Sequence, residues 1–315
     1  MLRPLLLILL FACCLPSGTQ AQQAGGFITK GDSLLRLDKA AKALAWYDKA
    51  VQAEPVSRSY SARARALYVL EHMDSFLLDV ERALRLDSTN VEAHYQRALY
   101  AYRAQDYGRA DLHCTRALDL GAYDPLRSRA LLLRGESRTE LGHQAEAIED
   151  LRAGLASDPD NVEALEKLAR CLNNIGKYSE ALVIHERLCV LEPGEVAHWS
   201  NRGYTLAMLE RHEEALIMYT QALKLDKDEP VALSNRAYSL MKMGRDDEAM
   251  KDLDKSLRAY PGNAFALRTR GIIRLRKGER DKACADLNMA RMIGGVDGVD
   301  ALLKEHCNNV PPPRR

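Results

Sequence analysis

Apolar residues in this chain recur on two scales. Within short segments they fall three and four residues apart, the spacing of one face of an amphipathic helix. The whole pattern then returns about every 34 residues, a period typical of helical repeat arrays. The clearest copy runs from Val162 to Glu195: Leu165, Leu168, Ala169 and Leu172 mark a first helix, Gly176 a turn, Ala181, His185 and Leu188 a second helix, and Pro193 a stop. Copies align at 24–57, 57–90, 91–124, 128–161, 162–195, 196–229, 230–263 and 264–297. Such a chain builds no single central core. Each helix pair buries its apolar face on its neighbours, and the product is a curved surface suited to holding another molecule.

Small residues fix how the helices pack. The second helix carries Ala43, Ala110, Ala147, Ala181, Ala215, Ala249 and Ala283 at one register position, with Phe76 in the second copy. The first helix carries Gly135, Gly203 and Gly271, or Ala64, Ala98, Ala169 and Ala237. Small side chains at both places predict close antiparallel helix pairs, and a large one such as Phe76 is expected to push its pair apart. Gly142, Gly176, Gly244 and Gly278 fall at the turn, where a helix end often needs positive φ. Pro55, Pro159, Pro193 and Pro261 close their repeats because proline cannot continue a helix. Pro125, Leu126 and Arg127 are additional to the period and are expected to bend the array or shift its register. The segment 298–308, with Ala301, Leu302 and Leu303, predicts a helix capping the last apolar face, followed by a disordered tail at 309–315.

A charge pattern runs through the repeats. Arg63, Arg97, Arg134, Arg202, Arg236 and Arg270 share one position on the first helix, and Asp79, Asp150, Asp252 and Asp286 share one on the second. Every copy with the Asp also has the Arg, and the fifth copy has Leu168 and Ile184 instead. Arg134 with Asp150, Arg236 with Asp252 and Arg270 with Asp286 are therefore predicted to form half-buried bridges that set register. The alternative is a ladder of cations for an anionic ligand.

The repeat resembles the tetratricopeptide family. The sixth copy shows its signature as Trp199, Gly203, Ala215, Tyr219 and Ala222, and the first as Phe27, Gly31, Ala43, Tyr47, Ala50 and Pro55. The resemblance implies an all-α, right-handed superhelical solenoid of about eight helix pairs over 22–297 with a C-terminal capping helix. It also implies a concave face lined by set positions of each first helix. Among the residues it brings forward are Tyr95, Tyr102, Arg170, Asn201, Tyr204, Asn235, Tyr238 and Arg268, with asparagines suited to a peptide backbone and tyrosines to contact area. Family members that grip a C-terminal carboxylate use lysines where this chain has Ile28, Ser61 and Leu132, so that activity is not expected. Cysteine pairs close the ends of some secreted members, which suggests a Cys284–Cys307 disulfide. The residues alone also allow two buried thiols there.

The N-terminus differs from the rest. Arg3, the uncharged apolar run Leu5 to Leu15 and the stretch Pro16 to Ala21 read as a signal peptide over 1–21 cleaved after Ala21. A rival reading takes Leu10-Phe11-Ala12-Cys13 as a lipobox, with a membrane anchor at Cys13. The chain has 45 Lys and Arg against 44 Asp and Glu, and losing Arg3 leaves 44 of each. That balance argues against a nucleic-acid partner. No Cys-x-x-Cys or paired-histidine spacing indicates a metal, and no catalytic motif or cofactor loop is present. The pairing of Cys114, Cys171 and Cys189 stays open. The expected role is non-enzymatic: binding a protein or peptide in a periplasmic or secreted assembly. The alternatives are a lipoprotein of an envelope complex and a glycan-recognition module.

Overall fold

The structure, a computed structural model, describes residues 17–307. Residues 1–16, which hold most of the expected signal segment and Cys13, and the tail at 309–315 lie outside the described residues. The chain divides into two compact units, Met1–Ser157 and Asp158–Arg315. Among the described residues there are 17 α-helices and no strand.

In the first unit, α1 (Ser17–Leu35) pairs with α2 (Ala40–Ala53), α3 (Ser57–Val69) with α4 (Met73–Leu86), α5 (Val91–Arg103) with α6 (Tyr107–Asp119), and α7 (Leu126–Glu140) with α8 (Gln144–Leu155). The second unit pairs α9 (Val162–Asn174) with α10 (Tyr178–Leu191), α11 (Val196–Met208) with α12 (His212–Leu225), α13 (Pro230–Lys242) with α14 (Asp246–Ala259), and α15 (Ala264–Arg276) with α16 (Arg280–Ile293). A short α17 (Val299–His306) then packs on α16. The fold is an all-α helical repeat. Thr19 and Ala21 lie in the first turns of α1, ahead of its first buried residue, Ala24.

Local chemistry sets the helix ends. Asn90, Asn161 and Asn263 cap the following helices by accepting from the backbone N–H of Ala93, Ala164 and Ala266 at 3.0–3.1 Å. At the C-terminus of α9, Gly176 N–H donates to Asn173 and Lys177 N–H to Leu172, the paired bonds of a Schellman turn. Gly176 has φ +77°, and the other three turn glycines match it. The remaining turns place Asp38, Glu71, Gln105 and Glu210 at φ of +57° to +59°. The geometry is thus kept where glycine is missing, at a local cost of about 1 kcal/mol for a side chain in the left-handed region.

The second-helix alanines are fully buried, and the glycines opposite them admit large side chains from the partner helix. A Cβ on Gly203 would lie 2.6 Å from the Tyr219 ring, and one on Gly31 would lie 2.5 Å from Tyr47. At Gly135 and Gly271 the space belongs to Leu151 and Leu287. Phe76 does not separate its pair, contrary to the expectation from its size. Its ring is fully buried beside Ala64 and Val80, 5.3 Å from the Tyr68 ring and 6.5 Å from Tyr100 of the next repeat. The extra residues at 125–127 also behave differently from a simple linker. Leu126 and Arg127 form the first turn of α7, and Leu126 is buried against Tyr95 and Ala130.

The arginines and aspartates meet in two-pronged bridges. The guanidinium Nε and Nη2 of Arg63, Arg134, Arg236 and Arg270 donate to the two carboxylate oxygens of Asp79, Asp150, Asp252 and Asp286 at 2.6–2.9 Å. The aspartates are buried. Three of the arginines also reach the second helix of the preceding repeat: Arg63 to Asp48 at 3.0 Å, Arg134 to Thr115 at 3.2 Å and Arg270 to Asp254 at 3.1 Å. Each of these side chains therefore ties three helices together. Arg202 lacks the aspartate and keeps the backward contact, to Glu186 at 2.9 Å. Five of the six repeated arginines are thus engaged by carboxylates within the fold, and Arg97 instead lies over the Tyr100 ring at 5.5 Å, which does not make the row a ladder for an anionic ligand.

At the C-terminal end, Val299 and Leu303 of α17 join Leu267, Leu287 and Ala290 in one buried cluster. Cys284 and Cys307 form a disulfide across it, with Cα atoms 5.8 Å apart. Cys114, Cys171 and Cys189 are buried thiols. Burial raises the Cys114 and Cys189 thiols, the latter to about 11, so neither is a thiolate at neutral pH.

Two substitutions test this packing. Gly203→Ala drives a methyl into the Tyr219 ring and should cost about 1–3 kcal/mol in chemical denaturation. Asp252→Ala alone should cost about 2–3 kcal/mol, because it leaves the half-buried Arg236 unpaired. The double change Arg236→Met/Asp252→Leu should cost clearly less than that single change.

Candidate functional site

The first helices of the second unit line a groove of about 1020 Å³. Its repeat origin explains its composition: positions that face outward on α9, α11, α13 and α15 recur one repeat apart and so form parallel rows. At one end α9 contributes Glu166, Lys167, Arg170, Asn173 and Asn174, with His185 and Leu188 of α10 behind them. The centre has Asn201 and Tyr204 of α11 with Val231, Ser234 and Asn235 of α13. The far end is apolar, formed by Phe265 of α15, Tyr260, and the segment Ile293–Val296 between α16 and α17.

Several large side chains stand open to solvent along it: Tyr204 at 39%, Val231 at 50%, Tyr260 at 52% and Phe265 at 59% exposure. Exposed apolar groups interleaved with amides mark a surface made for contact, since scattered apolar exposure alone would need no explanation. Asn201 is exposed and Asn235 partly so, equivalent positions one repeat apart. Both can offer an amide donor and acceptor to an extended backbone. Partial burial raises the Tyr204 pKa, so its phenol is neutral and able to donate at physiological pH.

The polar end rests on a buried network. Asn173 Nδ2 lies 3.1 Å from the Thr205 hydroxyl and 3.3 Å from His185 Nε2. His185 is buried, and its Nδ1 has no hydrogen-bond partner among the described residues. Burial, with the neighbouring His198, pushes its pKa down to about 4. His198 contacts Glu192 at 3.1 Å through Nε2. Among the described residues no group of three His, Cys, Asp or Glu is placed to hold a metal ion. No helix among them is long and apolar enough to cross a membrane.

The structure gathers Arg170, Asn201, Tyr204 and Asn235 in this groove but not the other residues named for the concave face. Tyr238 packs edge-on against His212, ring centroids 6.3 Å apart, with the Lys242 ammonium 5.7 Å from its ring. Arg268 is partly buried near Gly298, with no hydrogen-bond partner for its Nε among the described residues. Tyr102, in the first unit, stacks edge-on with Tyr107 at 5.5 Å. Tyr95 must be corrected to a core residue: it is only 8% exposed, covered by Leu126 and Ala130 of α7 and by the Arg129 guanidinium 5.4 Å from its ring. Val231 and Phe265 went unnamed, although each occupies the second position of its first helix, where groove residues are expected. Tyr260 and Ile293 lie at the ends of second helices and carry no such positional signal.

Comparison with known proteins agrees with this architecture. A family model described as tetratricopeptide repeat matches residues 204–264. Another, described as bacterial transcriptional activator domain, matches residues 79–192. Among solved structures, a tetratricopeptide repeat protein from Parabacteroides merdae is similar with TM-score 0.56 and 18% identity, covering 91% of this chain and 100% of that one. YrrB, described as a TPR protein with an unusual peptide-binding site, is similar with TM-score 0.55 and 24% identity, covering 59% of this chain and 95% of its own. The Hsp70-Hsp90 organizing protein of Triticum aestivum is 23% identical over 160 residues, which are 50% of this chain and 21% of that protein. The chain thus spans about a fifth of that relative's length. The likeness to tetratricopeptide repeats is therefore one of sequence over 204–264 and one of fold over most of the chain.

The buried histidine makes a pH prediction. Its folded pKa lies below the usual 6.5, so the unfolded chain takes up a proton that the folded chain refuses. Its contribution is intact above about pH 6.5, falls by up to roughly 1.4 kcal/mol per unit between there and about pH 4, and is flat below. Urea unfolding of the parent and His185→Gln between pH 7.5 and 4.5 should show the steeper loss in the parent. Parallel pH dependences would count against a buried neutral imidazole.

Proposed function

We propose that this protein is a non-enzymatic scaffold that binds an extended segment of a partner protein in the groove of its second unit, within an assembly outside the cytoplasm. The observation that carries the binding reading is the row of Tyr204, Val231 and Phe265 alongside Asn201 and Asn235. A peptide strand laid across the helices would bury its side chains on the first set while its backbone amides met the second. The groove has a direction: charged and amide groups of α9 lie at one end, and Phe265 and Ile293 at the other. A ligand with a polar segment followed by an apolar one fits that gradient.

The extracytoplasmic part of the reading draws on the N-terminal segment and on the Cys284–Cys307 disulfide, a bond that persists in oxidising compartments. Cleavage after Ala21 would leave the buried positions Ala24 and Ile28 of α1 in the mature chain. The lipoprotein reading differs only in an anchor at Cys13. Mass spectrometry of the N-terminus of the exported protein separates them: Gln22 first, or a lipid-modified Cys13.

Peptides selected from a random library on the folded chain should bind the parent at least about tenfold more tightly than Tyr204→Ala/Phe265→Ala, as measured by calorimetry, with helical content unchanged. Equal affinities would place the binding surface elsewhere. Selection of wall-derived glycans but no peptide would favour the glycan reading.

A further inference from the structure

The second unit has another groove, of about 930 Å³, which shares no lining residue with the first. It runs between the second helices of two successive repeats, α12 and α14. Its floor is apolar: Leu240 is buried, Leu216 is half-buried and Ile217 is 56% exposed.

The charges around it are unevenly matched. Each acid lining the groove is already engaged by an arginine: Glu248 by Arg245 at 2.7 Å, Asp252 by Arg236 at 2.7 Å and Asp254 by Arg270 at 3.1 Å. Four further cations line it: Lys224, Lys251, Lys255 and Arg258. None of these four has a carboxylate within ion-pair distance among the described residues, and Lys224 lies 3.4 Å from the amide oxygen of Gln221. Lys251, Lys255 and Arg258 follow one another at i, i+4 and i+7 on α14, one stripe roughly 10 Å long at 1.5 Å rise per residue. The groove therefore presents an apolar floor beside a regular row of positive charge with no carboxylate at ion-pair distance among the described residues, Lys251 being partly offset by Asp247 and Glu248 on its own helix.

We propose that this groove docks an acidic amphipathic helix of a partner protein. An apolar stripe on that helix would cover Leu216 and Ile217, and carboxylates one and two turns apart would face Lys251, Lys255 and Arg258. Helices seated in grooves are read in this way, through anchors at i, i+3, i+4 and i+7. The floor argues against a nucleic acid, because no aromatic side chain lines the groove to stack a base and an exposed isoleucine offers nothing to phosphate. The recess argues against a flat anionic membrane, which would meet the lysine tips and leave the floor uncovered.

The test uses the full mature chain and a fluorescein-labelled helical peptide of about 20 residues, with leucines along one face and glutamates flanking them. The parent should bind it, and Lys251→Glu/Lys255→Glu should bind about tenfold more weakly. The same peptide with lysine in place of glutamate should reverse that order, favouring the charge-swapped variant. Ile217→Ser should weaken both pairings. The proposal is overturned if the charge-swapped variant binds the acidic peptide as well as the parent does, if Ile217→Ser changes nothing, or if only polyphosphate or phosphatidylglycerol vesicles, and not the peptide, respond to the lysine changes. The Tyr204→Ala/Phe265→Ala variant should bind the acidic helix like the parent, which keeps this result separate from the fate of the first groove.

Discussion

Everything in this molecule depends on how closely the two helices of a repeat can approach. Where a glycine on the first helix faces the second, as at Gly203 and Gly31, a tyrosine ring fills the place a methyl would take. Where it faces a leucine, as at Gly135 and Gly271, the same backbone approach is kept with a different filler. The buried alanine on the second helix completes the contact. These positions hold small residues because distance is the conserved quantity, and the large side chains beside them vary to suit. Phe76 shows the tolerance of the scheme: its ring finds room among Tyr68 and Tyr100 and leaves the approach of its own pair intact.

With distance fixed by small residues, register is held by the buried carboxylates. An aspartate gripped on both oxygens by one guanidinium cannot slide by a turn without losing both bonds. The second donor of Arg63, Arg134 and Arg270 carries this restraint into the preceding repeat. Asp150 and Asp286 each take a further bond, from Arg138 and Arg274 at 2.8 and 2.6 Å. The electrostatics of the faces follow from this inward use of charge. Once the acids of α14 are committed, Asp247 to Lys277 and the other four to arginines, Lys251, Lys255 and Arg258 are left without an ion-pair partner among the described residues.

Much of this was legible in the sequence because the chain supplies its own comparison. Eight variations on one unit reveal which positions demand a small residue and which arginine travels with which aspartate. Arg236 with Asp252 could be paired on that basis alone. The groove was legible only in part, for a related reason. The resemblance to tetratricopeptide repeats implies which first-helix residues look outward, and Asn201, Tyr204 and Asn235 do line the groove. It cannot tell what a neighbour will cover. Tyr95 sits at a groove position, but Leu126, from the three residues outside the repeat, lies against it. Val231 and Phe265 are exposed apolar residues, and on an amphipathic helix the sequence does not distinguish an exposed apolar side chain from a buried one. Tyr260 and Ile293 come from helix ends, where the period says least.

The disulfide-bonded cap has a consequence for assembly. The eighth helix pair ends in an apolar face made of Leu267, Leu287 and Ala290, the kind of face on which the earlier pairs within this unit receive their successors. Left open, it would accept a helix pair from any other copy of the chain, and such head-to-tail addition has no natural end point. Val299 and Leu303 occupy that face, and the Cys284–Cys307 link keeps them there when thermal fluctuation would lift so short a helix away. The covalent bond therefore keeps this end closed to head-to-tail addition of a further helix pair.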